Sequence, residues 1–282
     1  MIDISNALPA PALRPYVAWY SGYRQVGSVP GAHRGLPSPQ LTLIFTLDEP
    51  IRMSAHPDPG QPPAEYDALL AGLHTRPALV THTGRQSGIQ LALNPLGARA
   101  LLGLPAAELY ARDLDACDVL GAVFVAELRE RIRCAPTWAQ RFRCVDELLL
   151  TRLRAANGLR PELRQAWLTL LDSGGAADVA GLARSVGWSS RHLSGRFRAE
   201  FGLGPKAFGR LVRFDRASGA IPRRLRAGDT LAEIAADHGY FDQSHLDREF
   251  RELAGCAPTT WLAEEFRNFQ VGAGHPEPES VS

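Results

Sequence analysis

Side chains that could carry chemistry are concentrated in one segment, HGYFDQSHLDREFRELAGCAPTTW, which spans His238–Trp261. Leu246 and Phe250 are four residues apart, so a helix would place both on one face. The opposite face would then carry amide, hydroxyl, carboxylate and guanidinium groups, from Gln243, Ser244, Asp247 and Arg248. Groups of these types donate and accept hydrogen bonds in defined patterns. The segment is therefore a candidate active site, a solvated helix face or a surface that recognises a partner.

Residue patterns typical of catalysis do not occur in the sequence. It contains no G-x-S-x-G elbow, no phosphate-binding loop and no H-E-x-x-H pair. Its four cysteines are scattered, as in proteins with reduced, structural cysteines. A metal-binding cupin is the alternative reading of four histidines whose spacings match no ligand pattern: His33, His56, His74 and His82. We predict no enzyme activity, no cofactor and no metal site.

The elements that must position the polar face come from an internal duplication in the last hundred residues. Matching residues are 52 positions apart before a turn and 53 positions apart after it, so the second copy has one extra residue. The matched pairs are Val179/Leu231, Leu182/Ile234, Ala183/Ala235, Gly187/Gly239, Trp188/Tyr240, Leu193/Leu246, Phe197/Phe250, Gly202/Gly255, Pro205/Pro258 and Phe208/Trp261. The pattern predicts two copies of one structural unit.

Each copy predicts the same local structure. A short helix ends at Gly187 or Gly239, because glycine readily adopts the left-handed backbone that stops a helix. A second helix follows, and a Gly-x-x-Pro segment then starts a third. The predicted N-caps are Ser189 or Ser190, Asp242, and Thr230 in a capping box with Glu233. A helix, a tight turn and a second helix form a unit whose second helix can lie in a DNA major groove.

These segments resemble the DNA-binding domain of the AraC/XylS family of bacterial transcription regulators. The resemblance covers about residues 161–267 and is carried by LARSVGWSSRHLSGRFRAEFGLGPKAF and by IAADHGYFDQSHLDREFRELAGCAPTTW. It implies two helix-turn-helix units joined by a long helix, expected at Pro205–Ala220, with two recognition helices in successive major grooves of double-stranded DNA. It also implies a sequence-specific transcription regulator, activator or repressor, that is cytoplasmic, nucleoid-associated and a partner of RNA polymerase.

The predicted DNA contacts of the first unit lie on its second helix. The exposed candidates there are Ser190, Arg191, Ser194 and Arg198, with Arg191 expected to supply most of the base selectivity. Gly195 stands where relatives often carry a long polar side chain, and a glycine costs a helix roughly 1 kcal/mol against alanine. Phosphate contacts, which position a protein without specifying a sequence, are expected from Arg196, Arg210 and Arg213.

In the second unit the predicted DNA contacts are Gln243, Ser244, His245 and Arg248. Arg248 suits a bidentate pair with guanine, and Gln243 suits adenine or a phosphate. An ion pair with Glu252, four residues on, is the alternative for Arg248. Packing or helix capping is the alternative for His245.

Charge is distributed unevenly along a chain whose net charge is only +1. Residues 182–226 contain eleven basic and two acidic residues, which gives +9, and residues 227–268 contain three basic and nine acidic residues, which gives −6. The basic block fits a surface that faces phosphates. Five acids of the second block are expected to face RNA polymerase or a partner domain: Glu233, Asp237, Glu252, Glu264 and Glu265.

Short apolar runs in the first half predict strands at LTLIFTL (Leu41–Leu47), ALVTHTG and GIQLALNP. We therefore predict an α+β protein with a β-rich first half and an all-α C-terminal domain with two helix-turn-helix units. The first half resembles the sensor halves of many such regulators, which implies a cupin-like or barrel-like sensor domain with bridging helices. The predicted sensor and dimerisation domain spans residues 1–156, β-rich over 1–106 and helical over 107–156. The DNA-binding domain spans 157–268, and 269–282 form a disordered tail.

The sensor half of such a regulator would bind a small apolar or aromatic effector in a cavity. Four aromatic residues are candidates to line it, and filling the core is their alternative role: Trp19, Tyr20, Tyr23 and Phe45. A homodimer interface is predicted on the bridging helices from an excess of apolar residues: Val123, Leu128, Phe142, Leu148 and Leu149. No apolar run of about 18 residues predicts a membrane span.

Two other functions remain open. The first is an enzyme, acting on DNA or on a metabolite, that carries a fused DNA-binding domain. The second is a constitutive architectural DNA-binding protein whose first half has lost its effector.

Overall fold

Two antiparallel sheets form the N-terminal half of the computed structural model, which describes residues 2–153 and 159–268. The strands in chain order are β1 (Ile2–Ala7), β2 (Val17–Gln25), β3 (Gly31–Gly35), β4 (Leu41–Thr46), β5 (Ile51–Ala55), β6 (Ala64–Tyr66), β7 (Ala68–Ala71), β8 (Ala78–His82), β9 (Gln86–Leu93) and β10 (Asp113–Asp115). One sheet has the order β1-β2-β9-β4-β7-β10 and the other β3-β8-β5-β6. The three strands predicted from apolar runs are confirmed as β4, β8 and β9.

The six-stranded sheet presents two different faces because side chains alternate along each strand. Leu41, Leu43 and Phe45 of β4 are fully buried on one face, in the main core of the protein. Thr42 and Ile44 of the same strand point to the other face, toward a space between the two sheets. The domain therefore has an apolar side that needs covering and a mixed side that lines a cavity.

Helices of the same chain cover the apolar side. These are α1 (Pro95–Gly97), which continues as a π-helical turn over Ala98–Leu102, α2 (Ala116–Leu120), α3 (Ala122–Cys134) and α4 (Trp138–Arg152). The ring of Trp138 lies so close to Gly22 of β2 that a Cβ there would be 2.3 Å from a ring carbon. Tyr20, on the same face of β2, donates a hydrogen bond from its hydroxyl to Asp146 Oδ1 at 2.9 Å.

This packing corrects the predicted homodimer interface. Leu128, Phe142, Leu148 and Leu149 are all buried inside their own chain. Val123 is the exception, with 83% of its surface exposed. The apolar residues from which the interface was predicted therefore cover the six-stranded sheet of their own chain.

The segment predicted to be helical over 107–156 also contains a strand. Asp113–Asp115 pairs with β7 and extends the six-stranded sheet. Ala111 and Gly121 adopt positive φ angles of 56° and 88° on either side of this strand and α2, which breaks the helical periodicity. The predicted boundary at residues 156 and 157 and the predicted tail at 269–282 lie outside the described residues.

The C-terminal half is entirely helical and repeats itself as predicted. Its helices are α5 (Pro161–Asp172), α6 (Val179–Ser185), α7 (Ser190–Phe201), α8 (Pro205–Arg226), α9 (Leu231–Asp237), α10 (Gln243–Ala254) and α11 (Pro258–Asn268). The N-caps Ser189 and Asp242 and the capping box of Thr230 with Glu233 are confirmed. The predicted α+β class and the two helix-turn-helix units, α6–α7 and α9–α10, are therefore confirmed.

The long connecting helix extends six residues beyond its predicted end at Ala220. Pro222 lies inside α8, where its missing N–H would ordinarily end a helix. Ile221 is fully buried and Leu225 packs against the same core, so tertiary packing overrides the local preference. No helix in the described part of the chain is long and apolar enough to cross a membrane.

Candidate nucleic-acid interface

The recognition helix of the first unit is α7, which buries one stripe and exposes the other. Leu193 and Phe197 are fully buried, and the Ser189 hydroxyl caps the helix by accepting from the His192 N–H at 3.2 Å. The outer face carries the predicted contacts: Ser190, Arg191, Arg196 and Arg198 are exposed and Ser194 is half-buried. None of these three arginines forms an ion pair within residues 2–153 and 159–268. Their charges remain available to a polyanion.

Gly195 stands on the same outer face. A Cβ at this position would meet no atom within 4 Å, so packing does not require the glycine. The bare backbone leaves room for close approach of a ligand at this point of α7.

The recognition helix of the second unit, α10, repeats this arrangement. Leu246 and Phe250 are fully buried, and Asp242 caps the helix by accepting from the His245 N–H at 2.7 Å. Gln243, Ser244 and Arg248 are exposed. The alternative ion pair of Arg248 with Glu252 is not formed, because Glu252 binds Arg210 instead.

His245 takes the alternative role considered for it. Its ring packs edge-on against Tyr240, with centroids 5.2 Å apart, and its Nδ1 accepts the Phe241 N–H at 3.4 Å. The side chain is therefore occupied in holding the turn of the second unit, and its predicted DNA contact is not supported by its position.

Arg210 and Arg213, which were predicted to contact phosphates, form ion pairs with acidic residues of α10. The Arg210 Nε–H donates to Glu249 Oε1 at 3.0 Å, and Arg213 donates to Glu249 Oε2 at 3.3 Å. Arg213 also stacks over the Tyr240 ring at 5.1 Å from its centroid. Glu249 is only 2% exposed, so these two arginines neutralise a buried carboxylate of α10 and attach that helix to α8. These ion pairs give both arginines a structural role, and their phosphate contacts stay a prediction.

The sequence contained a signal for this pairing. Glu249 falls on the same helical stripe as Leu246, Phe250 and Leu253, all of which are buried. A carboxylate on a buried stripe needs a buried cation, since an unpaired ionised group is strongly disfavoured away from water. Only the identity of the cation depends on the tertiary fold.

The acidic block of the second unit is largely compensated within the chain. Asp237 binds Arg224, Glu252 binds Arg210, Glu264 binds Arg34, and Glu233 closes the capping box with Thr230. Glu264 and Glu265 face the N-terminal domain, which agrees with the partner-domain alternative for these two. The five acids therefore do not form one free acidic surface for RNA polymerase.

The N-terminal domain holds both units from sides that the recognition faces do not use. Arg99 forms a bidentate pair with Glu200 of α7, at 2.6 and 2.8 Å, and Glu200 is 6% exposed. Arg34 of β3 binds Glu264 of α11 at 2.7 Å and donates to the Ala254 carbonyl at 3.3 Å. We call these two contacts the interdomain bridges. They leave the outer faces of α7 and α10 exposed.

A cavity of about 570 Å³ lies between the two sheets and is bordered on one side by the C-terminal half. Its sheet side includes Trp19, Tyr23, Ile44, Met53 and Gln90, and its helical side includes Asp215, Ser218, Pro222, Arg223 and Glu265. The prediction that Trp19 and Tyr23 line a cavity agrees with this position. Tyr20 and Phe45 do not line it: both are fully buried on the helix-covered face of the sheet, which is the core role considered as their alternative.

The histidines of the first half have separate environments. Burial and the neighbouring His82 lower the pKa of His33 to about 4, and burial lowers the pKa of His74, so both cavity-lining rings are neutral at pH 7. His56 pairs with Asp113 at 2.7 Å. In the described part of the chain, no group of three or more His, Cys, Asp or Glu side chains is placed to hold a metal ion.

Removing Arg213 should destabilise the fold and leave the electrostatics of DNA binding unchanged. In Arg213→Ala, Glu249 keeps only Arg210, and we expect the free energy of unfolding in urea to fall by about 1–3 kcal/mol. The control is Arg196→Ala on the exposed face of α7, which should keep its stability and lower the salt dependence of DNA binding by about one ion. A lowered salt dependence with unchanged stability in Arg213→Ala would contradict this assignment.

Docking of the second unit should weaken as pH rises from about 4.5 to 7. Burial, together with Glu264, raises the pKa of Glu265 to about 7, and the charge and backbone N–H of Arg34 oppose this only in part. The folded protein thus holds this proton more tightly than the unfolded chain, so stability falls between about pH 4.5 and 7 as Glu265 ionises. Melting of Glu265→Gln should lack this fall, and Glu127→Gln on the exposed side of α3 should keep it. If the melting temperature of Glu265→Gln depended on pH in the same way as that of the wild type, this role of Glu265 would be refuted.

Comparisons with known proteins agree with this geometry. Residues 182–264 match the model of a helix-turn-helix domain family, and residues 5–115 match that of a domain of unknown function (DUF6597). No curated protein matches the chain. An apo structure of a ToxT variant from Vibrio cholerae is 8% identical, with 93% of this chain and 97% of that chain covered and a TM-score of 0.52. A second ToxT structure from the same organism is 11% identical, with coverages of 93% and 98% and a TM-score of 0.49.

At these identities the likeness to the first ToxT structure concerns the fold alone. The helix-turn-helix match is independent of it and spans both recognition helices. The C-terminal half is thus a helix-turn-helix domain with two units joined by α8 and preceded by a β-rich domain, which is the architecture that the resemblance to the AraC/XylS family implies.

Proposed function

We propose that this chain is a sequence-specific DNA-binding transcription regulator whose binding is controlled by a small molecule in the interdomain cavity. The observation that carries the proposal is the exposure of two repeated polar helix faces while the N-terminal domain is docked. Each face is the outer side of a recognition helix, whose N-terminal residues meet base edges in a helix-turn-helix complex.

The side chains divide into two roles on DNA. Arg191 and Arg248 supply bidentate donors for guanine, and Gln243 supplies an amide for adenine. Arg196 and Arg198 supply cations for phosphates, which fix the position of the protein on the duplex. Ser190, Ser194 and Ser244 add short hydroxyl donors next to them.

The expected partners and location follow from this function. RNA polymerase is the partner of a regulator that activates or represses transcription, and the nucleoid in the cytoplasm is where its DNA lies. A homodimer would have to use a surface other than the buried stripes of α3 and α4. The alternative of an enzyme with a fused DNA-binding domain has no specific observation in its favour.

Control by an effector is supported by where the cavity lies. Its walls come from both halves of the chain, so a bound molecule would touch the sheets, α8 and α11 together. Arg34 both lines the cavity and forms one of the interdomain bridges. A ligand that favours one arrangement of the two halves would shift the population of DNA-competent molecules, typically by about 1–3 kcal/mol. Trp19, Tyr23, Ile44 and Met53 make an apolar or aromatic effector the best match.

The DNA-reading role of Arg248 is tested on a site selected from genomic fragments by the wild-type protein. Arg248→Ala should lose about 1–3 kcal/mol of binding free energy on that site and relax base choice at one position. Arg251→Ala, an exposed arginine one turn further along α10, is the charge-matched control and should affect selected and random DNA alike. Equal losses on both DNAs for Arg248→Ala would exclude base reading.

Effector control is tested by filling the cavity with a larger side chain on a strand that lines it. A panel of small aromatic and aliphatic compounds is screened by thermal shift, and a binder should raise the melting temperature and change DNA affinity. In Ala92→Phe, whose new ring would occupy the cavity beside Trp19, both responses should disappear while DNA affinity without ligand is retained. Persistence of both responses in this variant would place the effector elsewhere, and a wild type with no response to any compound would favour the constitutive architectural protein.

A further inference from the structure

The extra residue of the second unit is Phe241. In the first unit one residue, Trp188, separates Gly187 from the N-cap of α7, and in the second unit Tyr240 and Phe241 separate Gly239 from the N-cap of α10. Trp188 and Tyr240 correspond to each other, because each packs edge-on against the histidine that follows in its recognition helix, with centroids 4.6 and 5.2 Å apart. The residue without a counterpart is therefore the phenylalanine.

Phe241 projects from the protein although its neighbours are packed. It is 92% exposed, whereas Tyr240 is 4% exposed and Leu246 is fully buried. Its backbone is held, since its N–H donates to His245 Nδ1 and the next residue, Asp242, caps α10. A fixed turn thus presents an aromatic ring to solvent. Single exposed apolar residues are common on proteins, so the exposure has meaning only through its location.

That location is the leading end of the second recognition helix. Phe241 precedes the N-cap of α10 directly, and Gln243 and Ser244 are exposed beside it. In a helix-turn-helix complex this end of the helix approaches the base edges most closely. A phenyl ring cannot donate or accept a hydrogen bond there, and the apolar group that a major groove offers is the C5 methyl of thymine.

We propose that Phe241 is a specificity-determining residue that packs against a thymine methyl group in the half-site read by α10. The inference rests on the proposed DNA-binding function and adds to it a base preference that no hydrogen-bonding residue explains. Burial of the ring and the methyl group removes apolar surface of both partners from water, which favours the contact. The first unit has no equivalent residue, so the preference belongs to one half-site only.

The test uses the full chain and the selected DNA site with single methyl groups deleted. Each thymine of the site is replaced in turn by deoxyuridine, which lacks the C5 methyl. Wild-type affinity should fall roughly fourfold at one position in the half-site of α10, the loss expected for one methyl group removed from an apolar contact. Phe241→Ser should bind the unmodified site more weakly and show no further loss at that position. Phe241→Leu should retain part of the sensitivity to methyl removal at that position, because it keeps an apolar side chain.

The matched control is Val123→Ser, which removes another strongly exposed apolar side chain, on α3 and away from both recognition helices. It should leave both the affinity and the deoxyuridine profile unchanged. The proposal would be overturned if Phe241→Ser bound the unmodified site with wild-type affinity, or if deoxyuridine lowered the affinity of Phe241→Ser as much as that of the wild type. Phe241 would then be assigned to contact with a protein partner. Failure of the wild type to select any site would instead overturn the DNA-binding function itself, so the two failures are distinguishable.

Discussion

The buried carboxylate of Glu249 sets the geometry of the DNA-binding half. It is held between Arg210 and Arg213 of α8, and this attaches the second recognition helix to the long connecting helix. The same helix packs Phe208 against Phe197 of the first unit, with centroids 5.7 Å apart, and Phe214 against Phe250 of the second, 4.9 Å apart. The orientation of the outer faces of α7 and α10 is therefore set by how both helices pack on α8. Since a buried charge without a partner is strongly disfavoured, the pairing selects one register of α10 on α8.

Internal ion pairs also change the meaning of the charge distribution. The basic block of +9 and the acidic block of −6 suggest opposite electrostatic surfaces. In the folded chain Arg210, Arg213 and Arg224 of α8 are bound to acids of the second unit, so the two blocks largely neutralise each other where they meet. Exposed cations on the outer faces of α7 and α10, among them Arg191, Arg196 and Arg248, remain for a phosphate backbone. Part of the basic block therefore serves to hold the second unit on α8.

Local and periodic features of the fold were predictable from the sequence, and pairings across the fold were not. The duplication, the caps at Ser189, Asp242 and Thr230, and the exposed outer faces depend on residues within one or two helical turns. The partners of Arg213 and Arg34 are 36 and 230 residues away, and no local pattern identifies them. Tyr20 is an intermediate case. Strand alternation alone separates it from its neighbour Trp19, so only one of the two could have faced the cavity.

The position of α8 also determines how a ligand in the cavity can act on the DNA-binding half. Asp215, Ser218 and Pro222 line the cavity and follow Arg210 and Arg213, the arginines that hold α10, along the same helix. Because α8 packs against both recognition helices, a ligand that shifted α8 would act on both units at once. Pro222 lacks the N–H that would close one backbone hydrogen bond of α8, so this cavity-lining turn has one such bond fewer than an uninterrupted helix. A molecule bound in the cavity would therefore contact the helix that both units share, and an effector acts only through contacts that differ between the states it shifts.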